Sequence, residues 1–188
     1  MAPNRIFYHA DLKGTLSENQ ELSLDANGLS AFGRAYSPFM GQPHEGHTGN
    51  VRRELMLERI RTHNPNIARR FPSRFRSFFA ALTIQDAKVF AHKSATQTNN
   101  PIRIFEIVAP PGSFHFRDMG WLDFPESAET ATYYVSYWSE LLTKSVRDNP
   151  FIEVCIDLPA KVGRTVETFI KSDDFVWRAP IQDEYEAP

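Results

Sequence analysis

The segment from Pro72 to Ala91, PSRFRSFFAALTIQDAKVFA, constrains the fold most because a strand pattern passes directly into a helix pattern. Its first half is rich in phenylalanine, a residue that favours a half-buried strand. Thr83 is a typical helix N-cap, and Asp86 three residues later completes part of a capping box. We therefore predict a short aromatic strand followed by a capped helix. Three polar residues of this strand are candidates for holding a ligand: Ser73, Arg74 and Ser77.

The composition is that of a globular chain with one core. Of its 188 residues, 41% are hydrophobic, and 15 are phenylalanine, which is enough to bury one substantial core. We predict a single domain over residues 1–188. The sequence contains no run of eighteen apolar residues and no apolar signal stretch near its start, so we expect a soluble protein with no membrane partner. Cys155 is the only cysteine, which excludes an intrachain disulfide and is compatible with a reducing compartment.

The rest of the chain reads as short strands with helices between them. Apolar alternation and turn residues predict further strands at 5–9, 102–108, 113–117, 151–156 and 164–170, with a turn at 159–163. Helices are predicted at 50–63 and 126–144. Residues 25–50, rich in Gly, Pro, Ser and His, predict a long irregular loop of the kind that often forms a lid. The fold class is α+β with about six or more short strands, and residues 172–188 form an acidic tail.

Arginines are concentrated between residues 51 and 76, where eight of them face only Glu54 and Glu58. Such a cluster could hold the phosphates of a dinucleotide or of a nucleic acid. Arg69 and Arg70 in this run are the candidate contacts to a macromolecular substrate. The alternative is a solvated helix face that the acidic tail partly neutralises, and the sequence leaves both interpretations open.

Common cofactor and metal signatures are missing from the chain. It has no GxGxxG, Walker, HExxH or paired CxxC motif. His44 and His47 form an HxxH pair, but two histidines in a loop rich in Gly and Pro lack an identified third ligand. We therefore predict no metal site.

Three regions together carry a resemblance to a known family. Tyr8 and His9 end the first strand, Ser77 lies on the strand before the capped helix, and Glu153 begins the late strand segment EVCIDLP. In this order they resemble the mono-ADP-ribosyltransferase fold, and the PSRFRS motif from Pro72 to Ser77 is similar to one shared by a bacterial family. The resemblance implies two small packed β-sheets with a cleft for NAD between them.

The resemblance also implies a role for each of these residues. His9 would hydrogen-bond the ribose of the nicotinamide half of NAD, and Ser77 would brace the nicotinamide pocket or the glutamate. Glu153 would contact the ribose 2′-hydroxyl and stabilise positive charge at the anomeric carbon as nicotinamide leaves. Tyr8 or an aromatic of the long loop would stack on nicotinamide. Arg74 or an arginine of the preceding helix would meet the pyrophosphate, because a guanidinium offers forked donors to phosphate oxygens. His9, Ser77 and Glu153 are expected to converge on one cleft.

The chain departs from the family pattern at each of the three regions. After His9 the family often has Gly and then Thr or Ser, whereas this chain continues with Ala10. Ser77 is followed by two phenylalanines, so only one hydroxyl of that motif is kept. Two residues before Glu153 stands Phe151, where arginine-directed members carry Glu or Gln, so transfer to arginine is not expected.

The functional prediction is an NAD-dependent ADP-ribosyltransferase of the toxin, effector or modifier type, with NAD as co-substrate. The acceptor would be a nucleic acid or a protein, with an antitoxin or immunity protein as a further partner, in the cytoplasm of the producing or the target cell. The alternative is a non-catalytic nucleic-acid or protein-binding module that uses the arginines from Arg52 to Arg76. A third interpretation, an RNA-processing phosphotransferase on a related fold, would need more basic residues in the pocket.

Overall fold

The computed structural model describes residues 3–94, 99–143 and 150–171, and its centre is one antiparallel sheet of seven strands. The strands are β1 (Arg5–Asp11), β2 (Glu21–Leu22), β3 (Ser77–Ala81), β4 (Ile102–Ala109), β5 (Phe114–Asp118), β6 (Ile152–Asp157) and β7 (Ala160–Phe169). The helices are α1 (Ala31–Tyr36), α2 (Gly49–His63), α3 (Pro65–Arg70), α4 (Ile84–Lys93) and α5 (Thr130–Trp138). The strand order is β2-β7-β4-β1-β3-β6-β5, so the predicted α+β class is confirmed.

The sheet folds back on itself between β1 and β3. Phe7 of β1 and Phe114 of β5 have ring centroids 5.0 Å apart, although β3 and β6 lie between their strands in the sheet. In a flat sheet, three strand spacings would separate them by about 14 Å. The register between β1 and β3 contains a single pair, Tyr8 opposite Ala81, so the sheet can bend there. The two halves pack on each other as the predicted pair of sheets would, but they form one continuous sheet.

The inner face, between the two halves, is an apolar core. Its fully buried members come from both halves of the sheet and include Phe7, Phe105, Ile107, Val154 and Ile156. Side chains alternate along each strand, so the neighbours of these residues point to the opposite, outer face. Helix α4 covers the outer face of β1 and β4 through small residues, whereas aromatic side chains of α5 and Phe71 cover the half that contains β5.

The helix after the central strand begins where the sequence predicts. The Thr83 hydroxyl accepts a hydrogen bond from the backbone N–H of Asp86 at 3.0 Å and donates one to the Asp86 carboxylate at 2.8 Å. These bonds satisfy the first turn of α4 and fix the direction in which the chain leaves β3. The short βα junction thus fixes where β3 ends, beside the fold of the sheet.

The predicted strand from Pro72 onward is wrong in its first half. Residues Arg74–Arg76 form a single 3-10 turn, and β3 begins only at Ser77. The cause is Ser73, whose hydroxyl accepts from the N–H of Phe75 at 3.1 Å and whose carbonyl accepts from the N–H of Arg76 at 2.9 Å. Ser73 and Arg74 therefore lie on a turn above the sheet instead of on the strand.

Residues 25–50 are not irregular throughout, because they contain α1. Ser30 caps this helix by accepting from the N–H of Gly33 at 3.1 Å, and its own N–H donates to the Phe75 carbonyl at 2.9 Å. A Cβ on Gly33 would lie 2.0 Å from the same carbonyl oxygen, so only glycine permits this close approach. The predicted loop is thus anchored to the 3-10 turn that carries Arg74.

Several predicted boundaries also differ from the structure. Within residues 126–143, the part of the predicted helix 126–144 that the structure describes, the helix is confined to α5. The Thr130 hydroxyl forms a turn at its start by accepting from the N–H of Ser127 at 2.9 Å. The turn predicted at 159–163 is the start of β7. Helix α3 was not predicted, and Asn64 starts it by accepting from two backbone N–H groups. The acidic tail lies outside the described residues. Within the described part, no helix has the length and hydropathy needed to cross a bilayer.

Candidate functional site

His9 lies at the point where β1 and β3 separate. Its Nδ1 is 2.8 Å from the carbonyl oxygen of Phe79, and its ring centroid is 4.7 Å from that of Phe78. Because a carbonyl only accepts, Nδ1 carries the proton and donates, which leaves Nε2 as an acceptor. Burial lowers the pKa of His9, against smaller raising effects of this hydrogen bond and of Asp11, so the imidazole is neutral at pH 7. The ring bridges the two halves of the sheet where their backbones no longer pair.

Glu153 is buried on the outer face of β6, with 3% of its surface exposed. It lies opposite Ala81 of β3 and Arg117 of β5. Its Oε1 accepts hydrogen bonds from Nη1 of Arg74 and from the hydroxyl of Tyr137. Its Oε2 accepts no hydrogen bond from the described residues. One oxygen of the carboxylate is therefore fixed and the other is not.

Arg74 connects Glu153 to a second buried carboxylate. Its Nε donates to Oε2 of Glu54 at 2.7 Å, and its guanidinium carbon lies 4.5 Å from the ring centroid of Phe79. Burial alone would lower the pKa of Arg74, but the carboxylates of Glu153 and Glu54 raise it well above its ordinary value. The guanidinium is thus a permanent cation shared by two glutamates.

Tyr137 and Cys155 complete the cluster. Burial raises the pKa of Tyr137 well above its ordinary value, so its hydroxyl keeps its proton and acts as a donor. Burial also raises the pKa of Cys155 to about 12, with a smaller raising effect from Glu153. The thiol stays protonated at neutral pH, which makes it a poor nucleophile. The chemistry that this cluster offers is therefore that of a fixed carboxylate.

Ser77 is not placed beside Glu153. It is fully buried at the start of β3, and its hydroxyl donates to the Ser73 carbonyl at 3.0 Å. Ser77 pairs with Asp157, whereas Glu153 pairs with Ala81 at the other end of β3. Those ends are four residue steps apart along the strand, a distance of about 13 Å. The Ser77 hydroxyl thus serves the 3-10 turn and does not brace Glu153.

His9 and Glu153 come from neighbouring regions of the sheet but from its two faces. Tyr8, Ala81 and Glu153 are successive cross-strand partners, and such partners project on the same side. Tyr8 is therefore on the outer face with Glu153. His9, one residue later, lies on the inner face. The two candidate residues approach the β1–β3 opening from opposite sides, and Ser77 lies at the far end of β3. The prediction that His9, Ser77 and Glu153 converge on one cleft is therefore wrong, because the strand alternation separates the first from the last and the strand length separates Ser77 from both.

The arginine-rich run is largely neutralised in the folded chain. The ion pairs are Arg52–Glu126 at 3.5 Å, Arg53–Glu54 at 3.3 Å, Arg59–Glu45 at 3.4 Å, Arg61–Glu58 at 2.7 Å and Arg70–Glu140 at 2.7 Å. Most of these acids lie outside the run, so the local charge excess in the sequence overstates the charge of the surface. Arg69 and Arg76 form no ion pair within the described residues.

Two members of the cluster were missed in the sequence. Glu54 is buried on α2, three residues before the buried Leu57 and on the same side of the helix, which is a signal for an inward-facing charge. Tyr137 follows Tyr134 by three residues in an aromatic stripe, which by itself predicts only core packing. Nothing local in the sequence indicates that Arg74 lies between them.

A separate cavity of about 500 Å³ lies between residues 40–44, helix α2 and Phe75. Its polar lining includes Arg59, His44 and His63, and its apolar lining includes Met40 and Leu55. Glu153 and Tyr137 do not line it. The cavity is therefore distinct from the cluster formed by Glu153, Arg74 and Tyr137.

No known family model matches the chain, and no curated protein matches it.

Proposed function

We propose that the protein is an NAD-dependent ADP-ribosyltransferase that releases nicotinamide from NAD and transfers ADP-ribose to a macromolecule. The observation that carries this proposal is the buried, oriented carboxylate of Glu153 on the strand next to β3, close to the opening that His9 bridges. The strands of His9, Ser77 and Glu153 are consecutive neighbours in the centre of the sheet. This arrangement is compatible with the order of motifs in the transferase family.

Glu153 fits the electrostatic task of the reaction. As nicotinamide leaves, the anomeric carbon becomes positively charged, and a nearby carboxylate stabilises that charge. Glu54 and Glu153 share the buried guanidinium of Arg74, so this trio keeps a negative charge. The buried Arg117, opposite Glu153 on β5 and paired with Glu140, offsets part of it. Arg53 pairs with Glu54 from a more exposed position, where solvent screens its charge, so it offsets less of this negative charge.

His9 and Tyr8 fit the binding task. The free Nε2 of the neutral imidazole is an acceptor that suits a ribose hydroxyl. Tyr8 is half-buried on the face that holds Glu153, and its ring offers a stacking surface for a planar heterocycle. The buried pairing of Arg74 with two carboxylates favours a role at Glu153 over the predicted contact with pyrophosphate.

The test is nicotinamide release from NAD, followed by chromatography, with and without cell lysate as acceptor. We expect release by the wild-type protein and a loss of about 100-fold or more in Glu153→Gln. Glu167→Gln is the control, because Glu167 is also a strand glutamate in an ion pair, with Lys88 at 2.5 Å, but it lies on β7, away from Tyr8 and Glu153. Absence of release by the wild type, or equal release by Glu153→Gln, would refute the transferase proposal.

The acceptor class can be assigned with labelled NAD. After labelling a lysate, nuclease treatment should remove the label if the acceptor is a nucleic acid, and protease treatment should remove it if the acceptor is a protein. The exposed Arg69 and Arg70 are the proposed contacts to this acceptor. Neutralising both should lower transfer to the macromolecule while leaving NAD hydrolysis in its absence unchanged.

The non-catalytic binding module is the second candidate because Arg69 and Arg70 remain exposed on α3. It predicts binding to nucleic acid or protein that weakens steeply with salt and does not depend on NAD. It also predicts that Glu153→Gln leaves this binding unchanged. The ion pairs of the neighbouring arginines make it the weaker candidate.

A further inference from the structure

We infer that Tyr137 and Arg74 are positioning residues that hold Glu153 by Oε1 and leave Oε2 as the oxygen that faces a ligand hydroxyl. The inference rests on the proposed function, in which Glu153 contacts the ribose. Its basis is the convergence of three elements, β6, α5 and the 3-10 turn at Arg74–Arg76, on a single carboxylate oxygen.

The directions of the hydrogen bonds at Glu153 are fixed by the groups involved. Nη1 of Arg74 donates both to Oε1 of Glu153 and to the hydroxyl oxygen of Tyr137. An arginine has no acceptor, so the hydroxyl oxygen must accept, and its one proton is then directed to Oε1. The three groups form a closed triangle in which Nη1 of Arg74 donates twice and the Tyr137 hydroxyl donates once.

Arg74 is itself anchored from its other edge. Its Nε lies 2.7 Å from Oε2 of Glu54, and its Nη2 lies 3.5 Å from Oε1 of the same side chain. Phe79 lies against the guanidinium, with the ring centroid 4.5 Å from its central carbon. The guanidinium therefore cannot turn without losing contacts on both edges, and Glu54 orients Glu153 through it.

The consequence for catalysis is a carboxylate whose orientation is set before a ligand arrives. With Oε1 held by two donors, rotation of the carboxylate would break two hydrogen bonds in a buried site, which is costly. A group that does not reorganise during the reaction stabilises developing charge more effectively. Tyr137 and Arg74 would thus act on kcat through Glu153 without touching NAD.

Tyr137→Phe tests this role because it removes one hydroxyl and keeps the ring. We expect kcat for nicotinamide release to fall about tenfold or more, while the Kd for NAD changes by less than about threefold. Tyr134→Phe is the matched control, because Tyr134 lies on the same helix but its hydroxyl makes no hydrogen bond to Glu153. This variant should leave kcat unchanged. Arg74→Lys keeps the charge but loses the fork to Glu54, so it should also lower kcat.

A double-mutant cycle in urea unfolding tests the contact without any NAD. Tyr137→Phe and Glu153→Leu, which removes the acceptor oxygens, should be coupled by about fivefold or more in the unfolding equilibrium constant. If the wild type is active, additive effects in the cycle or an unchanged kcat in Tyr137→Phe would overturn the positioning role and leave the proposed function standing. If the wild type releases no nicotinamide, the proposed function fails and the positioning role fails with it, even where the cycle records the contact.

Discussion

The two faces of the folded sheet differ sharply although the same strands supply both. On β6, Val154 and Ile156 point into the apolar core, whereas Glu153 and Cys155 point to the outer face. The inner face gains stability from buried apolar area, about 25 cal/mol per Å². The outer face buries charges, which cost desolvation and are tolerated only when they are paired. The difference indicates that the apolar residues of the inner face maintain the fold, whereas the paired charges of the outer face, together with His9 at the edge of the inner face, are the candidates for function.

The largest expected effect comes from removing the shared cation of the outer face. Arg74→Met leaves Glu54 and Glu153 buried without their partner, which should lower the free energy of unfolding by about 3 to 5 kcal/mol. Urea denaturation at pH 7 measures this change. Arg69→Met on the exposed side of α3 is the control, with an expected change within about 0.5 kcal/mol. Equal effects of the two variants would show that the buried ion pairs of Arg74 add nothing to the free energy of unfolding beyond what an exposed arginine adds.

A smaller and different response is expected on the inner face. Ile156→Val removes one methylene from a fully buried side chain and should lower the free energy of unfolding by about 0.5 to 1.5 kcal/mol. The change should be independent of pH, because no titratable group is altered. A loss as large as that of Arg74→Met would contradict the distinction between the faces. Nicotinamide release at saturating NAD should remain close to that of the wild type.

The smallest effect is expected at Asp157, at the end of the outer face. Burial raises the pKa of this carboxyl from 3.8 to about 6, against lowering effects of Arg117 and Arg76. Among the described residues, its buried Oδ1 has no hydrogen-bond partner. The folded state binds this proton more tightly than the unfolded state. The protonated carboxyl therefore adds to the free energy of unfolding at low pH, and this contribution is lost as pH rises from about 4 to about 6.

Asp157→Asn should remove this pH dependence. The variant should be more stable than the wild type at pH 7 by less than about 1 kcal/mol, since the side chain is 37% exposed and solvent screens it. The difference should vanish below about pH 4. Melting temperatures across this range measure it, and a variant less stable than the wild type at pH 7 would contradict the assignment. His115, whose Nε2 is 3.9 Å from Oδ2, should be kept unchanged in both proteins.

Local patterns in the sequence predicted the parts of the fold that depend on neighbouring residues. The alternation in β4 and the Thr83 cap of α4 are of this kind, and both are confirmed. Helix α1 escaped prediction because its main anchor, the Phe75 carbonyl, lies 45 residues from Ser30 in the sequence. Composition alone therefore predicts a loop for residues 25–50.

The candidate site was less predictable for the same reason. Arg74 is 79 residues from Glu153 and 20 from Glu54 in the sequence, so their pairing follows from the sheet and not from any motif. The position of Ser77 on a strand predicts a pocket hydroxyl, but the carbonyl of Ser73, only four residues earlier, accepts its hydrogen bond. The charge of Glu153 within an apolar strand was the one signal strong enough to mark the site in advance.

The central claim is that one NAD site includes His9 on the inner face and Glu153 on the outer face. Isothermal titration of NAD into the wild type, His9→Ala and Glu153→Gln tests it directly, with His115→Ala as a histidine control on β5. We predict binding at one site per chain, weakened about tenfold in His9→Ala through loss of a buried hydrogen bond. Binding should change by less than about threefold in Glu153→Gln, which nevertheless loses nicotinamide release. No binding by the wild type, or equal binding by His9→Ala, would contradict the claim.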